Sequence, residues 1–272
     1  TRYWRDWSSD VCSSDLVKRG ALGVFNLVRL PGNELSRDFS DCGNPCVNIG
    51  GRDGWFLEAA LDRAAEAGKE IRARIDLQTH TYRALNAVNG IGIIRGASDE
   101  AIVLNAHVDG WFEGAGDNGD GLAVLVALAR HFAKTKPQRT LVFVASAGHH
   151  TPGINGPRSF LAANPELAQK AVMLVNIEHV AQRNFSPART TSPDGYREAV
   201  ADSGEAPIAV GVTNDSPFLQ QLVDAGPSRF GVNFISERST FQSGETGGWA
   251  ALRVAKVSVM QRSEEHTSEL QS

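Results

Sequence analysis

The 272-residue sequence is short of several things, and each shortage excludes a class of protein. Three cysteines are too few for a disulfide-stapled scaffold. No apolar run reaches the roughly 18 residues that a membrane-spanning helix needs. Surplus charge is also missing. A formal net charge of −4 provides no broad electrostatic grip on nucleic acid or anionic lipid, so no nucleic-acid partner and no membrane segment are expected. The 42% apolar and 21% charged residues match an ordinary globular chain, and the length fits one large domain or a domain plus a smaller module.

The two ends differ in texture from the middle. Asp6–Leu16 and Arg262–Ser272 are polar, aperiodic and poor in core-forming residues. Back-translated, the two segments can be written as DNA strings that are reverse complements over their whole length, and both resemble a sequencing-library adapter. Residues 1–16 and 262–272 are therefore expected to be adapter-derived and are set aside from fold reasoning. On that reading the middle is nearly neutral, Cys12 drops out, and the natural start, with any signal peptide, is not represented.

Residues 17–79 read as a compact β-rich module. A glycine-punctuated turn leading into a short β-rich run is expected over Lys18–Val28, and another short strand and turn over Cys46–Gly51, with a turn at Pro31-Gly32-Asn33 between them. A helix is expected over Gly54–Lys69 with Phe56, Leu57, Ala60, Leu61 and Ala64 on one face, and the alternation in Ile71–Leu77 predicts a half-buried strand. Cys42 and Cys46 can pair in an oxidising compartment or stay free.

From about His80 longer elements alternate. Strands are expected at Ala87–Arg95, Ala101–Ala106, Thr140–Ser146, Ala171–Ile177 and Ala255–Met260, and helices at Gly121–Lys134, Pro157–Gln169 and Leu219–Ala225. This alternation predicts an α/β fold with a mixed, mostly parallel twisted sheet flanked by helices. Open sheets of this kind hold ligands beyond the carboxyl ends of their strands.

Ionisable residues gather at those ends. His107 follows an apolar strand, and a glycine-rich turn supplies Asp117 ten residues later; imidazole with carboxylate suits zinc. Asp109 is placed to orient His107. His149 and His150 follow the next buried strand, and Glu178 closes the one after it, where an unpaired carboxylate would be costly. A polar loop of turn-forming Asp and Gly is the competing account of the first cluster.

The series His107-Val-Asp109, Gly114-Ala-Gly-Asp117-Asn118, helix, strand, Gly148–Arg158, helix, strand, Asn176-Ile-Glu178 resembles the M28 family of zinc metallopeptidases. The preceding module resembles, more weakly, part of a protease-associated (PA) domain. The resemblance implies a zinc exopeptidase fold over residues 80–261, C-terminally truncated, acting on peptide substrates with one or two Zn²⁺ ions. It favours a secreted or periplasmic location. It assigns His107, Asp117, His150 and Glu178 to metal, with Asp117 bridging, and puts His149 where the family carries its general-base glutamate. Glu245 and Trp249, in Gly244–Trp249, resemble a substrate-side loop; a glycine-rich surface turn explains them equally well. Two departures stand out. His149-His150 replace a Glu-Glu pair, and the family's last histidine ligand, expected beyond the final strand, has no counterpart before Gln261. The alternatives are a catalytically impaired pseudopeptidase that binds peptide or protein, and a zinc-dependent glutaminyl-cyclase-like acyltransferase, against which the PA-like module argues.

Overall fold

The computed structural model describes residues 13–28, 32–33, 44–151, 153–181, 185–188, 199–202, 209–213, 216–230, 234–238 and 244–261. Most of the adapter-like ends, Pro31 and Cys42 lie outside the described residues. Cys46 is disulfide-bonded.

In chain order the first elements are α1 (Ser13–Lys18), β1 (Val24–Val28), β2 (Cys46–Gly50), α2 (Gly51–Glu66), β3 (Gly90–Ile94), β4 (Ser98–His107) and α3 (Asp120–Phe132). They are followed by β5 (Arg139–Ser146), α4 (Gly156–Ala163), α5 (Pro165–Lys170), β6 (Ala171–Glu178), β7 (Phe185–Ala188) and β8 (Ala199–Asp202). The last are β9 (Ala209–Thr213), α6 (Pro217–Asp224), α7 (Gly226–Phe230), β10 (Phe234–Arg238), a 3-10 turn at Gly244–Trp249, and β11 (Ala255–Gln261). They fall into two units, residues 1–83 with 185–203, and residues 84–184 with 204–272.

In the first unit β1 and β2 pair in parallel, and β7 and β8 pair antiparallel. Helix α2 turns Gly51 and Gly54 inward, while Phe56 stays 61% exposed. A Cβ on Gly54 would collide with the Leu27 side chain, so this glycine lets the helix lie directly on β1. Of the expected face, Leu57, Ala60 and Ala64 are half-buried, while Phe56 and Leu61 are exposed. The strand expected at Ile71–Leu77 does not form, and Ile71 and Leu77 are exposed. Alternation supplies one apolar face, but a strand also needs a ladder partner, and no described residue pairs with this segment.

The second unit is built on a seven-stranded sheet of order β10-β9-β11-β6-β4-β5-β3. The pairs β4–β5, β4–β6, β6–β11 and β9–β10 are parallel; β3–β5 and β9–β11 are antiparallel. The expected mixed, mostly parallel sheet is therefore present. Its central strands are apolar on both faces because both are covered. On one face Val103, Val142, Val144 and Leu174 pack with Phe160 of α4 and with Trp249 and Leu252. On the other, Leu104, Ala106, Phe143 and Ile177 pack with Leu125 of α3, whose Leu122, Leu128 and Phe132 extend the contact. Each fully buried Leu, Val or Phe side chain contributes about 1.5–3 kcal/mol.

The helix expected over Pro157–Gln169 is two helices. Pro165 has no N–H to continue the first, and the residue before it, Asn164, takes a non-helical φ of −131°. Asn155 caps α4, its Oδ1 accepting from the Arg158 N–H at 2.8 Å, worth about 1 kcal/mol. No helix among the described residues is long and apolar enough to cross a membrane.

Candidate metal centre

Three neighbouring parallel strands set the site. Strand β4 lies between β5 and β6, with His107 opposite Ser146 and Asn105 opposite Asn176. Their carboxyl ends therefore open at one level, and the period of two puts Asn105 and His107 on one face of β4, and Asn176 and Glu178 on one face of β6. Both sets are almost completely buried.

Asp117 is the hub. Its Oδ1 lies 3.1 Å from His107 Nε2, 3.0 Å from His150 Nε2 and 3.8 Å from His179 Nε2. The Asp117 loop is pinned to the end of β6 by Asn118, whose Nδ2 donates to the Ile177 carbonyl at 3.0 Å and whose Oδ1 accepts from the His179 N–H at 3.3 Å. The peptide between Asp117 and Asn118 is cis.

His107 Nδ1 is 2.7 Å from the Asp109 backbone carbonyl. A carbonyl only accepts, so Nδ1 carries a proton, and Nε2 is the atom turned toward Asp117, where it pairs with the carboxylate as imidazolium in the metal-free protein. That Nε2 is buried and lacks the alignment of a hydrogen bond with any group. Asp109 thus orients His107 through its main chain. Its carboxylate has a different job: it accepts from the backbone N–H groups of Gly148, His149 and His150 at 3.0, 3.2 and 2.8 Å. Burial would raise the Asp109 pKa, but these N–H bonds prevail and lower it. Gly148, at φ +90° and placed where a Cβ would collide with Ile154, makes the sharp turn that delivers the two histidines. The His149 ring centroid is 4.6 Å from those of both His107 and His150, and the Trp111 ring lies 5.3 Å from His150, tilted by 51°.

Beneath the histidines runs a buried polar network. Glu178 Oε1 accepts from the Glu245 backbone N–H at 2.7 Å and from Asn176 Nδ2 at 2.8 Å, while its Oε2 is buried with no hydrogen-bond partner. Asn105 Nδ2 donates to Asn176 Oδ1 at 2.8 Å and to Glu245 Oε2 at 2.6 Å. Ser146 Oγ lies within hydrogen-bond reach of both Asn105 Oδ1 and Glu245 Oε2. One hydroxyl proton cannot serve two acceptors, so a protonated Glu245 that donates to Ser146 satisfies both bonds. Burial agrees: it outweighs the Ser146 and Asn105 hydrogen bonds and, with the nearby Glu178 charge, raises the Glu245 pKa to about 7.

The cavity favours positive charge. Burial works against a charged His107, but the carboxylates of Asp117, Glu178 and Glu245 outweigh it and raise its pKa to about 9. Burial likewise opposes ionisation of Asp117, yet contacts with His107 and His150 hold its carboxyl far below the usual range. His149 moves the other way, lowered mainly by burial and then by its imidazole neighbours. Two sets of donor atoms lie within 4.8 Å of one another, one from His107, His149 and His150, the other from His107, Glu178 and His179. Imidazole nitrogens with carboxylate oxygens are zinc's preferred ligands, and the unpartnered buried atoms, His107 Nε2 and Glu178 Oε2, are what a cation would satisfy. The residues fit the group.

The structure brings His107, Asp117, His149, His150 and Glu178 together, with Asp109 behind them. Glu245 and Trp249 do not line a cleft. Glu245 is 3% exposed under Glu178, and Trp249 is 0% exposed, packed 5.5 Å from Phe160 in the core. Their glycine-rich setting suggested surface, but the 3-10 turn folds inward between the sheet and α4. His179 is the residue that sequence reasoning passed over; its only sequence signal was adjacency to Glu178 at a strand end.

Comparison with known proteins agrees with this fold. A Bacillus subtilis zinc aminopeptidase structure aligns with TM-score 0.58 at 16% identity, over 94% of this chain and 59% of that one. A peptidase M28 precursor from Shewanella amazonensis aligns with TM-score 0.57 at 20% identity, over 92% and 53%. In sequence, a glutamate carboxypeptidase 2 homolog from Caenorhabditis elegans is 33% identical over 46% of this chain and 17% of its own length. Human transferrin receptor protein 2 is 27% identical over 57% and 20%. The chain thus spans about a fifth of these curated relatives. The family model for Peptidase family M28 matches residues 89–228, just over half of the chain, and the chain belongs to that family.

Proposed function

We propose that this chain is the metal-binding part of a zinc-dependent exopeptidase that removes single residues from peptides. The observation that carries this reading is the convergence of His107, Asp117, His150 and Glu178 at adjacent strand ends, with two buried donor atoms left unpartnered. These four would hold zinc, which supplies Lewis-acid polarisation of a carbonyl and acidification of water. Asp117 contributes its charge to the whole cluster. Asp109 holds the His149–His150 turn in place through three backbone N–H groups. His149, kept neutral by burial, has a free electron pair for a proton from water and can pass that proton to a leaving amine. The names of the relatives, a carboxypeptidase homolog and an aminopeptidase, support the exopeptidase class.

A second reading has a specific observation behind it. An imidazole at position 149, in place of a carboxylate, brings no negative charge beside a bound cation and has its basicity lowered by burial, and one of the similar proteins is named as a receptor. On that reading the chain binds peptide or protein without turning it over. The test is hydrolysis of aminoacyl-nitroanilides by the zinc-loaded protein beside His149→Ala and His149→Glu. Peptidase action predicts wild-type turnover that falls about 100-fold or more in His149→Ala. Zinc binding without turnover, with activity appearing only in His149→Glu, would establish the binding reading instead.

A further inference from the structure

We propose, on the footing that this cluster is a metal centre, that it has two unequal positions. The inner one is closed by four protein ligands, His107, Asp117, Glu178 and His179. The outer one, at His150 with Asp117 shared and His149 beside it as the base, is the open position at which chemistry takes place.

His179 carries the proposal. It directly follows β6, is 3% exposed, and adopts φ +49°, a left-handed conformation uncommon for a residue other than glycine. Such backbone persists where the surroundings hold it in place, and it clusters at functional sites. Here it swings the ring back over the strand end toward Asp117. His179 Nδ1 lies 3.2 Å from the Gly116 carbonyl, which fixes the proton on Nδ1 and leaves Nε2 as the inward donor. His107 is arranged in the same way, with Nδ1 on the Asp109 carbonyl and Nε2 inward. Two imidazoles with their outer nitrogens committed to backbone carbonyls have the tautomer and orientation that metal-ligating histidines take from their surroundings.

The spacings suit one tetrahedral ion. Ligand atoms about 2.0–2.2 Å from zinc lie about 3.4 Å apart in a tetrahedron. Asp117 Oδ1 is 3.1 Å from His107 Nε2 and 3.8 Å from His179 Nε2, and the donor atoms of His107, Glu178 and His179 all fall within 4.8 Å of one another. All three of these residues are buried, whereas His149 and His150 are partly open to solvent. A zinc ion with four protein ligands has no vacant position and behaves as a structural ion; an ion with fewer keeps room for water and substrate. His179 therefore divides the labour by saturating the inner position. The described residues supply this whole set.

The test uses the full chain loaded with zinc, graded chelator and metal analysis after desalting. Wild type should lose one equivalent at low chelator and keep the second at concentrations about 100-fold higher. His179→Asn is the informative variant, because asparagine tolerates a left-handed backbone but is too short to reach the ion. It should lose the resistant equivalent, while His150→Ala should lose only the labile one. If His179→Asn proves unfolded by far-UV circular dichroism, cobalt-substituted wild type decides, since a four-ligand closed site gives intense visible bands and a five- or six-coordinate one weak bands. Retention of the resistant ion by His179→Asn, or weak cobalt bands from the resistant ion, would overturn the proposal and leave the metal-centre reading intact. Wild type that binds no zinc at all would overturn both.

Discussion

The inner donors and the outer histidines are held in place by different means. His107 and Glu178 sit within strand register, and beneath them Asn105, Asn176, Ser146 and Glu245 form a hydrogen-bonded floor that solvent does not reach. His149 and His150 stand beyond the end of β5 on a turn whose main support is one side chain, the Asp109 carboxylate. A donor fixed by sheet register inherits the rigidity of the whole sheet. A donor on a turn has only what its few anchors provide, and it keeps some freedom to adjust. The contrast suits a centre in which one position must stay fixed while the other accommodates a reacting group.

The largest effect is expected where the two sets meet. Asp117→Asn removes the one charge that touches His107, His150 and His179, so zinc binding should disappear from both positions. Metal analysis after dialysis checks this, and retention of either equivalent would show that the sets do not share a hub.

A smaller effect is expected from the inner floor alone. In the metal-free protein Glu245 has a folded pKa of about 7 against a reference near 4.5. Its protonated form is the one that folding favours, so its contribution is full below about pH 4.5 and is lost as pH rises through about 7. The loss amounts to about 3 kcal/mol. Glu245→Gln keeps a donor toward Ser146 and cannot titrate. Urea denaturation at pH 5 and pH 8 should show a decline in stability that is smaller in the variant by roughly that amount. Equal declines in both proteins would mean that the floor does not hold a proton.

The smallest change belongs to the outer set. Asp109→Asn keeps the main-chain carbonyl that orients His107 but weakens acceptance from the three N–H groups of residues 148–150. Turnover or outer-ion affinity should fall about 10–100-fold, as for other groups that support metal ligands indirectly. Chelator resistance of the inner ion should be unchanged. If the inner ion weakens equally, the two supports are not separate.

Much of the fold was legible because its signals are local. The apolar runs Ala101–Ala106, Thr140–Ser146 and Ala171–Ile177 name the central strands, and the spacing of Leu122, Leu125 and Leu128 names α3. The misreadings share a cause. Ile71–Leu77 has the alternation of a strand and no partner among the described residues; Phe56 and Leu61 of α2 stay exposed because two glycines offer a closer fit; Trp249, read as part of a substrate-side loop or a surface turn, packs in the core. In each case the outcome depended on a neighbour distant in sequence. Strands β9 and β10 gave too little periodicity to be noticed.

By itself, the sequence determined the residue types, their order and their placement after buried strands, which is enough to expect a metal at His107, Asp117, His150 and Glu178. Periodicity and chain order are local, and they carry no distances between elements. Only the tertiary structure decided that His179 turns inward on a left-handed backbone, that Asp109 acts on His107 through its carbonyl and on the histidine turn through its carboxylate, and that Glu245 belongs to the floor. Those outcomes follow from the parallel register of β4 with β5 and β6 and from the packing of the Gly244–Trp249 turn against the sheet, which bring residues 41 to 140 positions apart into hydrogen-bonding range.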